Sequence, residues 1–255
     1  MALRNVADMI FTAARRPEET GCKFNDRLAT TLVTGLCKPD ATFIDVGAHI
    51  GSIAAAVIRM TRSKVIAVEA MPDKALALSR KFPTATVHSC AASDREGEAT
   101  FFVDRDQSGY SSLGSHRADT EAVTVAVRRL DALVGASDVD IIKIDVEGAE
   151  LGVLRGAEAM IARCRPVVMF ESAPPQEDGL GYSKADMHHW FSAHSYELLA
   201  PDRMAHFGPG LSLDGFLDSH WYPRRTTNYF GVPTERREEV RGRVRRLLKL
   251  EPSER

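Results

Sequence analysis

A glycine turn and the acids that follow it stand at spacings that chemistry uses. The turn is Asp45-Val46-Gly47-Ala48-His49-Ile50-Gly51. It follows a β-rich run and opens a stretch of helical period. A sheet presents backbone N–H groups to a ligand at such a place. Gly47 permits close backbone approach, and Gly51 permits close packing of helix on strand. The pattern is D-x-G-x-H-x-G rather than G-x-G-x-x-G, so the pyrophosphate fingerprint of nicotinamide enzymes fits poorly. Asp45 would also repel a pyrophosphate; a carboxylate there suits a ligand carrying an ammonium group, directly or through water. Glu69 follows Asp45 by 24 residues, at the end of the run Val65–Glu69. An acid so placed can accept two hydrogen bonds from a ribose diol. The ligand defined by these residues has an amino acid end and a ribose.

The elements that must hold these residues follow from pattern. β-rich runs at Thr42–Val46, Val65–Glu69, Thr86–Cys90, Ile141–Asp145 and Val167–Glu171 alternate with helical stretches at Ile53–Thr61, Ala75–Phe82 and Glu150–Cys164. Such alternation predicts βαβ units and a mostly parallel sheet covered on both faces. Ala99–Val103 and Val123–Val127 are added strands around the polar loop Asp104–Thr120, and Arg129–Val134 is a short helix. Long loops in compact domains usually have a use. Further on, Asp186–Ala193 reads as a helix and Tyr196–Leu199 and Asn228–Val232 as closing strands, around a Gly/Pro/aromatic loop, Pro201–Pro223. Three parts result: a helical cap over 1–40, a main domain over 41–233 with loops 104–120 and 201–223 at its acceptor side, and a charged helix over 234–255.

Composition narrows the class. The chain has 255 residues, 44% hydrophobic and 27% charged, with a formal net charge of −2. That balance excludes disorder, collagen-like repeats and a coiled coil, and gives no basic field for nucleic acid. Cys22, Cys37, Cys90 and Cys164 are scattered without a C-x-x-C pair, so reduced cysteines in a cytoplasmic protein are expected. The N-terminal stretch lacks the apolar core and cleavage site of a signal peptide, and no apolar run reaches membrane-spanning length. The apolar face of the C-terminal helix is expected to pack on the domain, with a second subunit or a membrane surface as alternatives.

Four blocks carry a resemblance. They are Phe43–Gly51; Val65–Ala70 with Pro72; Ala91–Asp94 with Gly97 and the strand after it; and Val139–Glu150 running on through Leu154–Ala157. With these the sequence resembles the FkbM family of S-adenosylmethionine-dependent methyltransferases. The last block is the most distinctive. The resemblance implies an α/β, Rossmann-like class I methyltransferase fold: a mostly parallel seven-stranded sheet, its last strand antiparallel, with helices on both faces. It implies O-methylation of a hydroxyl on a sugar, glycolipid or other natural product. It places Asp45, Gly47 and Gly51 at the methionine end of S-adenosylmethionine, Glu69 at the ribose, Ser93 and Asp94 near the adenine, and Asp145 facing the sulfonium and the acceptor. His49 stands where most relatives have Asn or Gly. Histidine tolerates positive φ better than most side chains, so the turn can survive, with His49 among the cofactor contacts.

Methyl transfer from a sulfonium rests mainly on positioning and desolvation, while an alcohol nucleophile must also lose its proton. Asp145 ends the near-continuous apolar strand Ile141–Ile144, where an open α/β sheet binds ligands. It is the first choice of base. Glu147 is a second, and Lys143 could pair with a carboxylate. In the alternative reading Asp145 only holds the cofactor's amino group, while Glu147 and Glu150 favour a helix N-terminus; for Glu150 that reading is preferred. The loop 104–120 supplies Ser112 as a cofactor contact and His116 as a further base. Asp145, Glu147 and Glu171 could offer oxygens to magnesium, but no dedicated metal spacing supports it, so the site is read without a metal. His88, His188, His189, His206 and His220 are read as structural or solvated. Trp190, Trp221 and Tyr222 could stack on a sugar ring, though filling the core is the commoner job. The alternatives to a methyltransferase are an NAD-linked oxidoreductase and a nucleoside-binding protein without catalysis.

Overall fold

The computed structural model describes residues 2–104, 120–172 and 182–250. The chain opens with helices α1 (Ala2–Arg15) and α2 (Thr20–Gly35). In α2 and just beyond it, Ala29, Leu32, Val33 and Leu36 recur at helical spacing and are buried, which is the stripe a surface helix turns to a core. Then come β1 (Thr42–Val46), α3 (Ser52–Met60), β2 (Lys64–Glu69), α4 (Pro72–Lys81) and β3 (Thr86–Ser89). The three strands pair in parallel, Asp45 opposite Ala67 and Glu69 opposite Ser89.

The second half adds β7 (Val139–Ile144), α6 (Glu150–Arg155), α7 (Glu158–Cys164), β8 (Val167–Glu171), α8 (Lys184–Ala193), β9 (Tyr196–Leu199), α9 (Leu213–Asp218), β10 (Asn228–Pro233) and α10 (Arg237–Leu247). Between the halves lie β4 (Ala91–Ala92), β5 (Gly97–Asp104), β6 (Thr120–Arg128) and α5 (Leu130–Val134). The main sheet has seven strands in the order β3-β2-β1-β7-β8-β10-β9, and a three-stranded sheet, β4-β6-β5, stands beside it. β10 runs antiparallel to both its neighbours. Every residue of β1 and β7 is buried. Central strands of a parallel sheet need such continuous apolar runs, because helices cover both faces.

Two apolar layers result. One holds Ile44, Ile142, Leu151, Phe170, Phe191 and Tyr229. The other holds Leu32, Phe43, Val57, Ile141, Phe230 and Val240. The C-terminal helix α10 belongs to the second layer through Val240 and Val244, and Arg236 pairs with Asp140 at 2.8 Å. All four cysteines are unpaired. Among the described residues no helix is long and apolar enough to cross a membrane.

Several expectations are corrected. The single helix over 150–164 is two helices, α6 and α7, parted at Gly156. A Cβ there would lie 2.0 Å from the Ser93 carbonyl oxygen, so the backbone of the Ala91–Asp94 block docks where the helices part. The loop over 201–223 contains the helix α9, whose N-cap Ser212 accepts from the Gly215 N–H. The strand ending in Asp145 stops one residue earlier, at Ile144. Residues 105–119 and 173–181 lie outside the described residues, and with them Ser112 and His116.

Candidate active site

Asp45, Gly47, Glu69, Lys143 and Asp145 meet at the carboxyl edge of the main sheet. The turn after β1 is folded onto its neighbours by its own amides. Gly47 N–H and Ala48 N–H donate to Val68 O at 2.9 and 3.2 Å, Gly51 N–H to Ala48 O at 2.7 Å, and His49 N–H to Glu69 Oε2 at 2.8 Å. These donors are engaged within the chain, which removes the cluster of free N–H groups a pyrophosphate needs. Gly47, His49 and Gly51 all have φ near the left-handed region, at 71°, 51° and 73°.

Gly47 does something other than admit a ligand. A Cβ on it would lie 1.8 Å from the Asp145 carbonyl oxygen. Its missing side chain lets the turn close onto the tip of β7, where Asp145 N–H donates to Val46 O at 3.1 Å. Gly51 packs against Phe82 and Leu78 of the α4 region rather than against a strand; a Cβ there would meet them at 2.5 and 2.6 Å.

Lys143 holds the centre. Its ammonium lies 3.2 Å from Asp45 Oδ1 and 3.4 Å from Asp145 Oδ2. It donates to Gly47 O at 2.7 Å and Val46 O at 3.3 Å. The side chains of Asp45 and Lys143 are 2% and 6% exposed, that of Asp145 40%. The ammonium group that the Asp45 carboxylate suits is therefore supplied from inside, by Lys143. Asp45 Oδ1 has this charge contact as its partner, while Lys143 also donates to the turn carbonyls. Burial pushes the Asp45 carboxyl upward against the pull of Lys143, while the two carboxylates outweigh burial and raise Lys143.

Glu69 is held by two backbone donors. Oε2 accepts from His49 N–H and Oε1 from Met71 N–H, at 2.8 and 3.0 Å. Each carboxylate oxygen keeps a lone pair. The neighbours on this edge are Ser89, in register with Glu69, and Cys90, whose N–H donates to Glu69 O at 3.0 Å. Ser93 and Asp94 pack elsewhere: Ser93 against Arg128 O and Gly156, Asp94 through its carbonyl on Arg129.

Beyond Asp145 the chain makes a second tight turn, with Glu147 at φ 55° and Gly148 at φ 101°. Glu150, the first residue of α6, stitches it: Oε1 accepts from Val146 N–H and Gly148 N–H at 3.2 and 3.1 Å, and Tyr182 donates to Oε2 at 3.0 Å. Glu150 is thus structural. The turn presents Asp145 and Glu147 to Glu171 at the tip of β8. One oxygen from each of the three carboxylates lies within 4.8 Å of the others, a spacing a divalent cation could also bridge. Burial, and then the Asp145 charge, push Glu171 up to about 9; burial and the same charge push Glu147 up to about 7. Of the carboxyls in this cluster, Glu171 is thus pushed furthest toward its protonated form, against Asp145.

These shifts have a measurable sign. The folded protein binds more protons at Glu171 and Glu147 than the unfolded chain does, so their contribution is favourable below about pH 4.5 and is lost as pH rises toward about 9. Glu171→Gln is expected to stabilise by about 1–2 kcal/mol at pH 9 and to be nearly neutral at pH 5. Thermal melts at the two pH values check this; an equal shift at both would contradict it.

Residues 45–198 match the model of the methyltransferase FkbM domain, more than half of the chain. The chain belongs to the FkbM methyltransferase family. Over 193 residues it is 27% identical to the AMB antimetabolite synthetase AmbE of Pseudomonas aeruginosa, a stretch that is 58% of this chain and 9% of the relative. The chain thus spans about a tenth of the length of that curated relative. A crystal structure of methyltransferase FkbM from Methylobacillus flagellatus KT matches with a TM-score of 0.50 and 22% identity, covering 81% of this chain and 48% of the other. The shared FkbM fold agrees with the Rossmann-like sheet described above.

The FkbM match ends before α9. Sequence reasoning did not single out Tyr182, nor the role of Ser172, Lys184 and His220 beside the β8 tip. Tyr182 has no local pattern to reveal it. Of the two readings given for the lone histidines, structural or solvated, His220 takes the first, at 5% exposure. Trp190 is buried and stacks on His194 at 4.0 Å, so it fills the core. Trp221 and Tyr222 are 69% and 74% exposed.

Proposed function

We propose that the protein is an S-adenosylmethionine-dependent O-methyltransferase acting on a hydroxyl of a sugar, glycolipid or other natural product. The observation that carries this reading is the Asp145–Glu147–Glu171 cluster at the sheet's carboxyl edge, beside the turn and Glu69. S-adenosylmethionine supplies a methyl group on an electrophilic sulfonium. Glu69, fixed by two backbone N–H groups with lone pairs to spare, fits a ribose diol, and the turn through Gly47, His49 and Gly51 fits the methionine end. Asp45 acts through Lys143: together they fix the turn against β7. Asp145, partly exposed and hydrogen-bonded by Glu171, takes the acceptor proton. Glu147 flanks it. Ser112 and His116 from the 104–120 loop complete the assignment, while Ser93 and Asp94, engaged with Arg128, Gly156 and Arg129, drop out of it.

In this reading the main domain is 41–233, the helices of 1–40 cap it and 234–255 are the charged C-terminal part, whose helix α10 packs through Val240 and Val244. Unpaired cysteines suit a reducing compartment such as the cytoplasm. The direct experiment is transfer of a labelled methyl from S-adenosylmethionine to hydroxylated acceptors, with the methylated atom assigned by NMR. Methylation at nitrogen or carbon only would overturn the reading.

Glu69 gives a separate check. Glu69→Gln keeps one acceptor oxygen and is expected to weaken S-adenosylhomocysteine binding about 10-fold or more, with kcat at saturating cofactor within a few-fold. Calorimetry and steady-state kinetics read both. A fall in kcat with unchanged affinity would remove Glu69 from the ribose.

A further inference from the structure

Ser172 follows the last residue of β8 and so stands beside Glu171. Its hydroxyl is held by two neighbours from different elements. His220 Nε2 lies 2.9 Å from Ser172 Oγ. The other ring nitrogen, Nδ1, lies 2.7 Å from the Phe216 carbonyl oxygen. A carbonyl only accepts, so Nδ1 carries the proton and Nε2 a lone pair. The Ser172 O–H therefore donates to His220. Lys184, at the start of α8, donates to the same oxygen at 3.3 Å. One lone pair of Ser172 Oγ remains, and it can only accept.

The frame is rigid. The His220 ring stacks on Tyr229 at 5.2 Å and meets Phe216 edge-on at 4.8 Å. Tyr229 is tied in turn to Ser219 at 2.7 Å. Ser172 N–H donates to Thr227 O at 2.8 Å, and Asp26 of α2 accepts from Thr226, Thr227 and Asn228. The charged groups facing this corner are Lys184 on α8, which acts on the imidazole, and Glu171 and Glu150, which act on Lys184. Burial and the Lys184 charge push His220 down to about 4, so its lone pair persists at neutral pH.

We propose that Ser172 binds a second hydroxyl of the acceptor, next to the one that is methylated, with His220 and Lys184 as positioning residues. Such a hydroxyl must donate, because Ser172 has only a lone pair to offer. Lys184, which donates to Ser172, also feels the Glu171 carboxyl, and Glu171 clusters with Asp145, which takes the proton of the reacting hydroxyl. Two hydroxyls are thus demanded side by side, and the acceptor class is a vicinal diol of the kind a pyranose ring carries. A simple alcohol leaves the Ser172 lone pair unanswered. This inference rests on the O-methyltransferase reading above.

The test uses the full chain with S-adenosylmethionine, methyl pyranosides, their monodeoxy analogues and cyclohexanol as acceptors. Wild type is expected to prefer the diols. Ser172→Ala is expected to raise KM for the diols about 10-fold or more, to leave KM for the matching deoxy analogue unchanged, and to leave S-adenosylhomocysteine affinity within about two-fold. His220→Phe, which removes the acceptor nitrogen, should copy Ser172→Ala, and His220→Gln, which restores an acceptor, should recover part of the loss. Unchanged S-adenosylhomocysteine binding shows that each variant is folded. Equal KM for diols in wild type and Ser172→Ala would overturn the proposal. So would methylation of cyclohexanol as efficient as that of the pyranosides; in that case the O-methyltransferase reading stands and the diol requirement falls. Failure of wild type to bind S-adenosylhomocysteine would overturn the underlying reading and this inference with it.

Discussion

Asp145→Asn is expected to lower kcat by about 10²–10⁴-fold while S-adenosylhomocysteine affinity stays within a few-fold. The amide keeps the side chain's size at the tip of β7 but cannot take the acceptor proton. Lys143 then loses one of its two carboxylates, at 3.4 Å, and keeps the other, Asp45, at 3.2 Å, so the turn should hold. Single-turnover methyl transfer and calorimetry on the same preparation separate the two roles considered for Asp145. A large loss of cofactor affinity with little change in kcat would make it a cofactor contact instead of a base.

Lys143→Met is expected to be the most destabilising change at the site, by about 3–5 kcal/mol. The ammonium is buried between Asp45 and Asp145 and also donates to two carbonyls of the glycine turn. Removing it strands Asp45, whose side chain is 2% exposed, as an unpaired buried charge. Asp45→Asn in the same chain should restore much of the loss, because the stranded charge is gone. Chemical denaturation of the two single variants and the double variant gives the coupling. Additive losses would mean that the two residues are not one unit. Because the turn is fixed by this pair, the single variant should also bind S-adenosylhomocysteine more weakly than the double.

The central sheet is legible because β1, β2, β7 and β8 are short, largely apolar runs with an acid at or beside their ends. The place of Glu69 at the end of β2 is legible because the run before it is apolar up to the acid. The parting of α6 from α7 is not legible, since an isolated glycine in a helical pattern only lowers confidence in it; its reason, the Ser93 carbonyl against Gly156, comes from a distant segment. The same is true of Gly47. The turn motif suggests a glycine making room for a ligand, whereas the contact that demands it is the Asp145 carbonyl. The helix α9 escapes because its six residues sit among glycines and prolines. His220 escapes because what keeps its imidazole neutral and aimed comes from β8, α8, α9 and β10 together. Local spacing reports a residue's own element and says little about partners that only the fold assembles.

The account stands first on a nucleoside cofactor with an amino acid end. Calorimetric titration of the protein with S-adenosylhomocysteine, and separately with NAD, tests it most directly. Saturable binding of S-adenosylhomocysteine at one site per chain, with no heat from NAD, is the predicted result. Binding of NAD without binding of S-adenosylhomocysteine would contradict the account at its base.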